Sequence, residues 1–471
     1  MYRAYITRIQ NLRKHSNADR LQCGECFGNT VIVDLSTQPN ELGIYFPTDG
    51  KLGLEYAEKN NLLRKKDENG NNIGGYLDPD KRNIKALKLR GEKSDGLFMP
   101  LSSMADFTDI AKLKEGDTIT VLNGVTICEK YIPKRRYPSP YSGGNRTRKH
   151  REPVAPLFME HADTEQLAYN LSSFHPGDLI NITLKMHGTS GRTAYLPKLV
   201  GHKRTIWDKL MCREGKPIYE WGYVTGTRRV VLDDFEDGGY YGNNHFREQH
   251  AKAFEGKLHK GETVYYEVVG FTDEGRPIMA SCDNKKINDK SFFRQYGEST
   301  TFSYGCDPTG SVTVDASGLL DGGFPNAEKA TTVEQKVPVS DCYVYRMTMT
   351  NEDGDVVEYT PDFMRYRCQQ MGVKCVPEFM NVIIPSTLDD GSPVDVPTYV
   401  TTLAELYNDG PDPIGKTHVR EGVVVRIVNR PSFTAYKSKN FSFKVLEGIC
   451  KDEATEPDLE EAQEVEAEQD G

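Results

Sequence analysis

The sequence predicts an α+β protein in which a small N-terminal β-barrel precedes a larger mixed domain. Three observations carry that expectation. Residues 1–128 read as short strands broken by Gly, Asn, Asp and Pro turns, with few helical patterns. The composition changes abruptly at 130, and from about 153 to 448 the periodicity switches between strand and helix. A chain of 471 residues has room for two or three domains of roughly 100–200 residues each.

In the first part, residues 30–35 and 117–122 are the clearest strands, the second following a Lys114-Glu115-Gly116-Asp117 turn. Residues 129–152 form a linker. The stretch from Lys130 to Arg151 holds eight Lys or Arg, three Pro, two Gly and no acid. It cannot bury a core, and cations beside tyrosines suit either a solvated hinge or a phosphate backbone with stackable bases. Residues 153–450 make the second domain, with strands at 179–185, 263–269 and 422–428 and helices at 362–371 and 402–408. Residues 310–337, rich in Gly, Ser, Thr and Asp, read as a loop insertion. The tail 451–471 holds ten acids and one Lys, so it carries −9 of the net −10 and the rest of the chain is nearly neutral (−10 minus −9 is −1). A basic groove is thus compatible with the acidic total, and the tail itself is expected to be disordered.

No apolar run reaches the roughly 20 residues of a membrane span, and the start lacks an apolar signal core. Ten scattered cysteines fit reduced thiols of a cytoplasm. Cys23-Gly24-Glu25-Cys26 is a single CxxC without a second pair, which favours ordinary strand or turn cysteines over a zinc site.

Five stretches bear chemistry. In Leu184-Lys185-Met186-His187-Gly188-Thr189-Ser190, Lys185 and His187 fall on one face of a strand end, and Gly188 allows close approach of a ligand. Lys185 is a candidate covalent nucleophile if its surroundings favour the neutral amine. Glu267 and Glu421 are acids in or entering apolar strands, and each needs a partner there: a Lys, an Arg, a sugar hydroxyl or a metal. Lys437 and Lys439, at i and i+2, suit a triphosphate clamp, with Lys444 out of phase. Arg228 and Arg229 follow a Thr225-Gly226-Thr227 turn and offer fork donors to phosphate. Singly, each is more often structural.

In order and spacing, the five together resemble the covalent nucleotidyltransferases, the superfamily of ATP-dependent DNA and RNA ligases and mRNA capping enzymes. His187 stands where that superfamily's first motif has Asp; Lys-x-His-Gly is the form of phage RNA ligases that seal nicked duplex RNA. Ser190 and Leu184 also depart from the phage pattern. The resemblance implies that Lys185 takes AMP from ATP and that Arg228, or Arg229, contacts ribose or phosphate. It further implies that Glu267 holds the ribose, Glu421 a metal (Mg²⁺ or Mn²⁺), and Lys437 and Lys439 the ATP phosphates. Tyr343 falls where an aromatic stacks on adenine, with Phe302 as rival. His15 to Leu21 resembles the opening of tRNA-binding OB modules, and Ala86 to Leu97 a stretch of bacterial RNA ligases with a leading OB domain.

The implied fold is thus an OB-like β-barrel followed by a ligase-type adenylyltransferase domain of ATP-grasp-like antiparallel sheets. The implied function is an ATP-dependent RNA ligase in RNA repair, joining 3′-OH and 5′-phosphate ends through lysyl-AMP and RNA-adenylate. Its partner is RNA, with a tRNA break, a nicked duplex or an RNA/DNA hybrid as the forms left open. Arg90, Arg135, Arg136 and Arg229 are the expected nucleic-acid contacts. A cytoplasmic monomer, in a bacterial cell or phage-infected host, fits the resemblance. The competing readings are a DNA ligase or capping-type transferase, and a non-catalytic RNA-binding platform.

Overall fold

The computed structural model describes residues 2–48, 50–66, 72–75, 77–131, 154–161, 164–207, 211, 215–228, 230–232, 235, 245–287, 289–315 and 332–453. The chain divides into two compact units. One comprises 1–134, 285–289 and 441–454; the other comprises 135–284, 290–440 and 455–471. Most of the expected linker and nearly all of the acidic tail lie outside the described residues. No helix among the described residues is long and apolar enough to cross a membrane.

The first unit is built mainly of strands. Leu97–Pro100, Leu42–Phe46, Ala4–Arg8 and Thr118–Ile119 form a four-stranded sheet, and Gln10–Lys14, Leu21–Cys26 and Asn29–Asp34 a three-stranded one. Among the described residues these sheets do not join into a closed ring, so the expected barrel is not seen as such. The Thr120 carbonyl accepts from the Ile127 and Cys128 amides at 2.8 and 3.2 Å, which splits the strand expected at 117–122 into two short pieces. The core gathers Ile6, Ile44, Phe46, Tyr56 and Met104, all fully buried.

Two stretches singled out in the sequence meet in this unit. Imidazole Nε2 of His15 lies 3.1 Å from the Leu89 carbonyl, and Asn17 donates to the Arg90 carbonyl at 3.0 Å. Arg13 binds Glu92 through both guanidinium nitrogens, at 2.9 and 2.7 Å. Cys23 and Cys26 are buried free thiols on one strand, and burial pushes Cys26 up to about 12. No group of three or more metal-ligating side chains exists among the described residues.

The second unit sets two sheets against each other. The strand Leu179–Lys185 lies in a five-stranded sheet between Gly422–Ile427 and Glu378–Ile383, with Thr434–Lys439 and Glu165–Gln166 beyond. The larger sheet runs through Lys216–Gly226, Thr189–Lys203, Glu262–Gly270 and Ser340–Thr350. Alternation decides the faces. Ile180, Ile182, Val423, Val425 and Ile427 bury one face of the five-stranded sheet, each side chain contributing roughly 1.5–3 kcal/mol. Asn181, Thr183, Lys185, Val424 and Arg426 therefore share the opposite face. Arg426 reaches the other sheet there, donating to the Tyr359 carbonyl at 2.8 Å and lying 3.9 Å from Glu358.

Helices flank the sheets. Pro361–Met371 starts at Thr360, whose hydroxyl accepts from the Phe363 amide, and stops at Gly372 in the left-handed region. Val396–Asn408 is longer than the expected 402–408, because Pro397 sits in its first turn, where no amide donor is needed. The expected loop at 310–337 has a paired stem: Ser311–Asp315 runs antiparallel to Thr332–Lys336. Helix Phe441–Glu453 groups with the first unit, although it directly follows the Lys437–Lys439 strand.

Candidate active site

Lys185 ends its strand, and the chain crosses through Met186, His187 and Gly188 to begin the long strand of the other sheet at Thr189. Gly188 is needed here for space. A Cβ on it would lie 2.4 Å from the Val268 carbonyl oxygen and 3.0 Å from Cγ of Glu267. Each of the next three groups is gripped by a different element. The His187 amide donates to the Tyr304 hydroxyl at 2.7 Å, the Gly188 amide donates to Oε1 of Glu267 at 3.0 Å, and Arg247 donates to the Thr189 hydroxyl. Ser190 lies 3.4 Å from the other Glu267 oxygen.

Glu421 immediately precedes the Gly422–Ile427 strand and is 2% exposed. Its Oε1 lies 2.7 Å from Nζ of Lys185 and 3.7 Å from Nζ of Lys439; its Oε2 lies 3.8 Å from Nδ1 of His187. Register explains the convergence: Lys185 pairs with Gly422, Gly422 with Lys439, and Val424 with Lys437. Period two then puts Lys185, Lys437 and Lys439 on one face. A buried carboxylate stripped of its partners would cost about 3–5 kcal/mol, so the lysines are structural partners as well as candidate ligands of phosphate.

The carboxylate also tests the expected metal. Oε2 of Glu421 is buried without a hydrogen-bond partner among the described residues, as suits an atom that accepts a cation. One carboxylate does not make an all-protein cage, and the residues fit a Mg²⁺ or Mn²⁺ ion that takes its other ligands from phosphate and water.

Glu267 is half-buried and pairs across the larger sheet with Ser190 on one side and Tyr343 on the other. Tyr343 is itself buried, donates to Asp341 at 3.1 Å and has Lys374 5.6 Å from its ring centre. Burial first, and then Asp341, push its phenol up. Phe302, the rival aromatic, instead meets the His187 ring edge-on at 4.8 Å.

Further along the same face lies an arginine cluster. Arg192 is 1% exposed and donates to the carbonyls of Thr227, Phe158 and Met159. Arg346 forks onto Glu358, and His161 sits beside it, held well below the usual imidazole range by burial and then by Arg346, Arg228 and Arg192. Arg228 thus belongs to this cluster. Arg90 lies in the first unit, exposed, at a turn where it has φ +47. Arg135, Arg136 and Arg229 lie outside the described residues. Lys444 is in the first unit, ion-paired to Asp95.

Sequence reasoning missed Arg192, Arg247 and Tyr304. Arg192 is two residues past Ser190 in a strand, so period two could have found it. Arg247 and Tyr304 reach the turn from 58 and 117 residues away, with no local signal.

No family model matches the sequence, and no curated protein matches it. Solved structures do. A lysine-to-methionine variant of Naegleria gruberi RNA ligase with AMP and Mn aligns with TM-score 0.53 and 14% identity, covering 94% of this chain and 97% of that one. A lysine-to-alanine variant of that ligase with ATP and Mn gives 0.52 and 15%, over 94% and 98%. The same ligase with PPi gives 0.51 and 15%, over 93% and 97%. Over more than nine-tenths of its length, this chain has the fold of those RNA ligase structures.

Proposed function

We propose that the protein is an ATP-dependent RNA ligase that joins 3′-OH and 5′-phosphate ends. The observation that carries the reading is the convergence of Lys185, Lys439 and His187 on buried Glu421, with Lys437 on the same face. The similar structures support it, because that ligase is bound there to AMP, ATP or PPi.

In the proposed chemistry, the uncharged Lys185 amine attacks the α-phosphorus of ATP. A P–N bond forms, the P–O bond to pyrophosphate breaks, and the amine's proton leaves to solvent. The AMP then passes to a 5′-phosphate end, freeing Lys185. A neighbouring 3′-OH attacks that end, forming the phosphodiester and expelling AMP. Charge builds on phosphorus each time, so cations work by positioning and electrostatic stabilisation. Lys437 and Lys439 hold the phosphates, Glu267 the ribose and Tyr343 the adenine. Arg228 contributes positive charge, and His187 aligns the turn beside Glu421. A divalent ion at Glu421 supplies further charge neutralisation on phosphate. The first unit, as an OB-like module with Arg90 on its surface, and the basic linker with Arg135 and Arg136 grip the RNA. A cytoplasmic monomer is the accompanying reading; Cys282 is disulfide-bonded while seven other cysteines are free, which corrects the expectation of uniformly reduced thiols.

The test is a joining assay with 5′-labelled RNA, ATP and Mg²⁺ or Mn²⁺, run beside DNA ends and with GTP in place of ATP. ATP-dependent sealing of RNA is the expected outcome. Sealing that prefers DNA 3′ ends, or label taken only from GTP, would assign the protein to the other branches of the superfamily.

A further inference from the structure

Behind the Lys185 turn lies a buried shell that the chemistry above leaves unused. Tyr304 is 2% exposed, and its hydroxyl accepts the His187 amide at 2.7 Å. That hydroxyl makes no other hydrogen bond among the described residues. Its backbone has φ +48, a left-handed conformation that costs a residue with a large side chain and persists only where its surroundings enforce it. The ring meets His418 edge-on at 4.5 Å, and Phe302 touches both His187 (4.8 Å) and His418 (5.2 Å). His418 is fixed in turn, its Nδ1 lying 2.9 Å from the Val419 carbonyl, and Asp412 accepts from the Gly415 and Lys416 amides. Segment 411–420 leads directly into Glu421. One aromatic shell thus braces both the turn carrying the nucleophile and the approach to the carboxylate that faces it.

Resting on the nucleotidyl-transfer reading, we propose that Tyr304 is a positioning residue for the first step. By accepting the His187 amide it fixes Lys185 and His187 against Glu421, so that the amine meets the α-phosphorus in line. Burial, with Glu421 next, holds the phenol well above its usual range. Misplacing a nucleophile by about 1 Å can cost on the order of 100-fold in rate. Sealing of RNA that is already adenylylated does not use Lys185 as nucleophile, and it should be far less sensitive.

The experiment compares the full chain with Tyr304→Phe, which keeps the ring and removes the acceptor. Two rates are measured: lysyl-AMP formation from [α-³²P]ATP across ATP concentrations, and sealing of pre-adenylylated RNA. The expected result is labelling slowed about 10- to 100-fold at saturating ATP, with KM for ATP and the sealing rate near wild type. Equal losses in both rates would mark a merely structural role and overturn the inference, as would labelling at the wild-type rate. Should Tyr304→Phe not fold, 3,5-difluorotyrosine at position 304 keeps ring and hydroxyl with a poorer acceptor. Slower labelling there supports the inference, and unchanged labelling contradicts it. A wild-type chain that neither takes label nor seals would overturn the nucleotidyl-transfer reading and this inference with it.

Discussion

Gly188 shows how little room the nucleophile's turn has. Its backbone is not in the left-handed region, so the sequence-level argument from conformational freedom gives way to one from space: carbonyl oxygen and Glu267 methylene leave no volume for a methyl. Gly188→Ala must push the turn away from Glu267 and break the 3.0 Å bond to its carboxylate. Lysyl-AMP formation should fall by about 100-fold or more, since nucleophile and phosphate lose alignment. Stability should fall by about 1–3 kcal/mol, the usual cost of overpacking. Labelling rates and urea unfolding of the variant check both expectations. A variant that labels normally would mean that the turn is not where ATP reacts.

At the scale of elements, helix Phe441–Glu453 completes the first unit. Phe443 and Leu446 are buried, Lys93 lies 4.7 Å over the Phe441 ring, and Lys444 pairs with buried Asp95. Lys444→Met strands that carboxylate, with Thr48, at 3.2 Å, the one remaining donor among the described residues; the loss should be about 3 kcal/mol. Hydrogen exchange over residues 4–131 should quicken in this variant while the Glu267 strand stays protected. Equal quickening of both would contradict a local role. None of this helix's docking was legible in the sequence, because Asp95 and Lys444 are 349 residues apart and no periodicity links them. The site strands were legible for the opposite reason. Charged residues interrupting apolar runs, at Glu267 and before Gly422, and lysines two apart mark a polar face locally. Helix Val396–Asn408 begins before the expected 402 because Pro397 fits a first turn, and the strand expected at 117–122 is split where Thr120 turns its carbonyl out of the ladder. Tyr304 and Arg247 act across long loops that no periodicity reports.

Across the whole catalytic unit, buried histidines set a pH response. His161, His250 and His418 are all held below the ordinary imidazole value of 6.5, with burial the largest cause for each. Around His161 the arginines add to the shift. The aspartates near His250 (Asp341 and Asp273) and near His418 (Asp412) oppose it without reversing it. Folded-state values below the unfolded one mean that the unfolded chain binds more protons once pH drops below about 6.5. Stability from these groups is therefore fully present above that pH and is lost as pH falls beneath it. The slope is at most about 1.4 kcal/mol per pH unit for each histidine. Urea midpoints at pH 7.5, 6.5 and 5.5 should show a flat upper interval and a falling lower one; a midpoint that rises toward pH 5.5 would contradict the assignment.

The most direct measurement is incubation of the full chain with [α-³²P]ATP and Mg²⁺ or Mn²⁺, followed by a denaturing gel and peptide mapping of the label. An acid-labile adduct that maps to Lys185 and is absent from Lys185→Ala is the expected result. Absence of label from ATP, GTP or NAD with either metal, or label that persists in Lys185→Ala, would contradict the covalent chemistry assigned to this site.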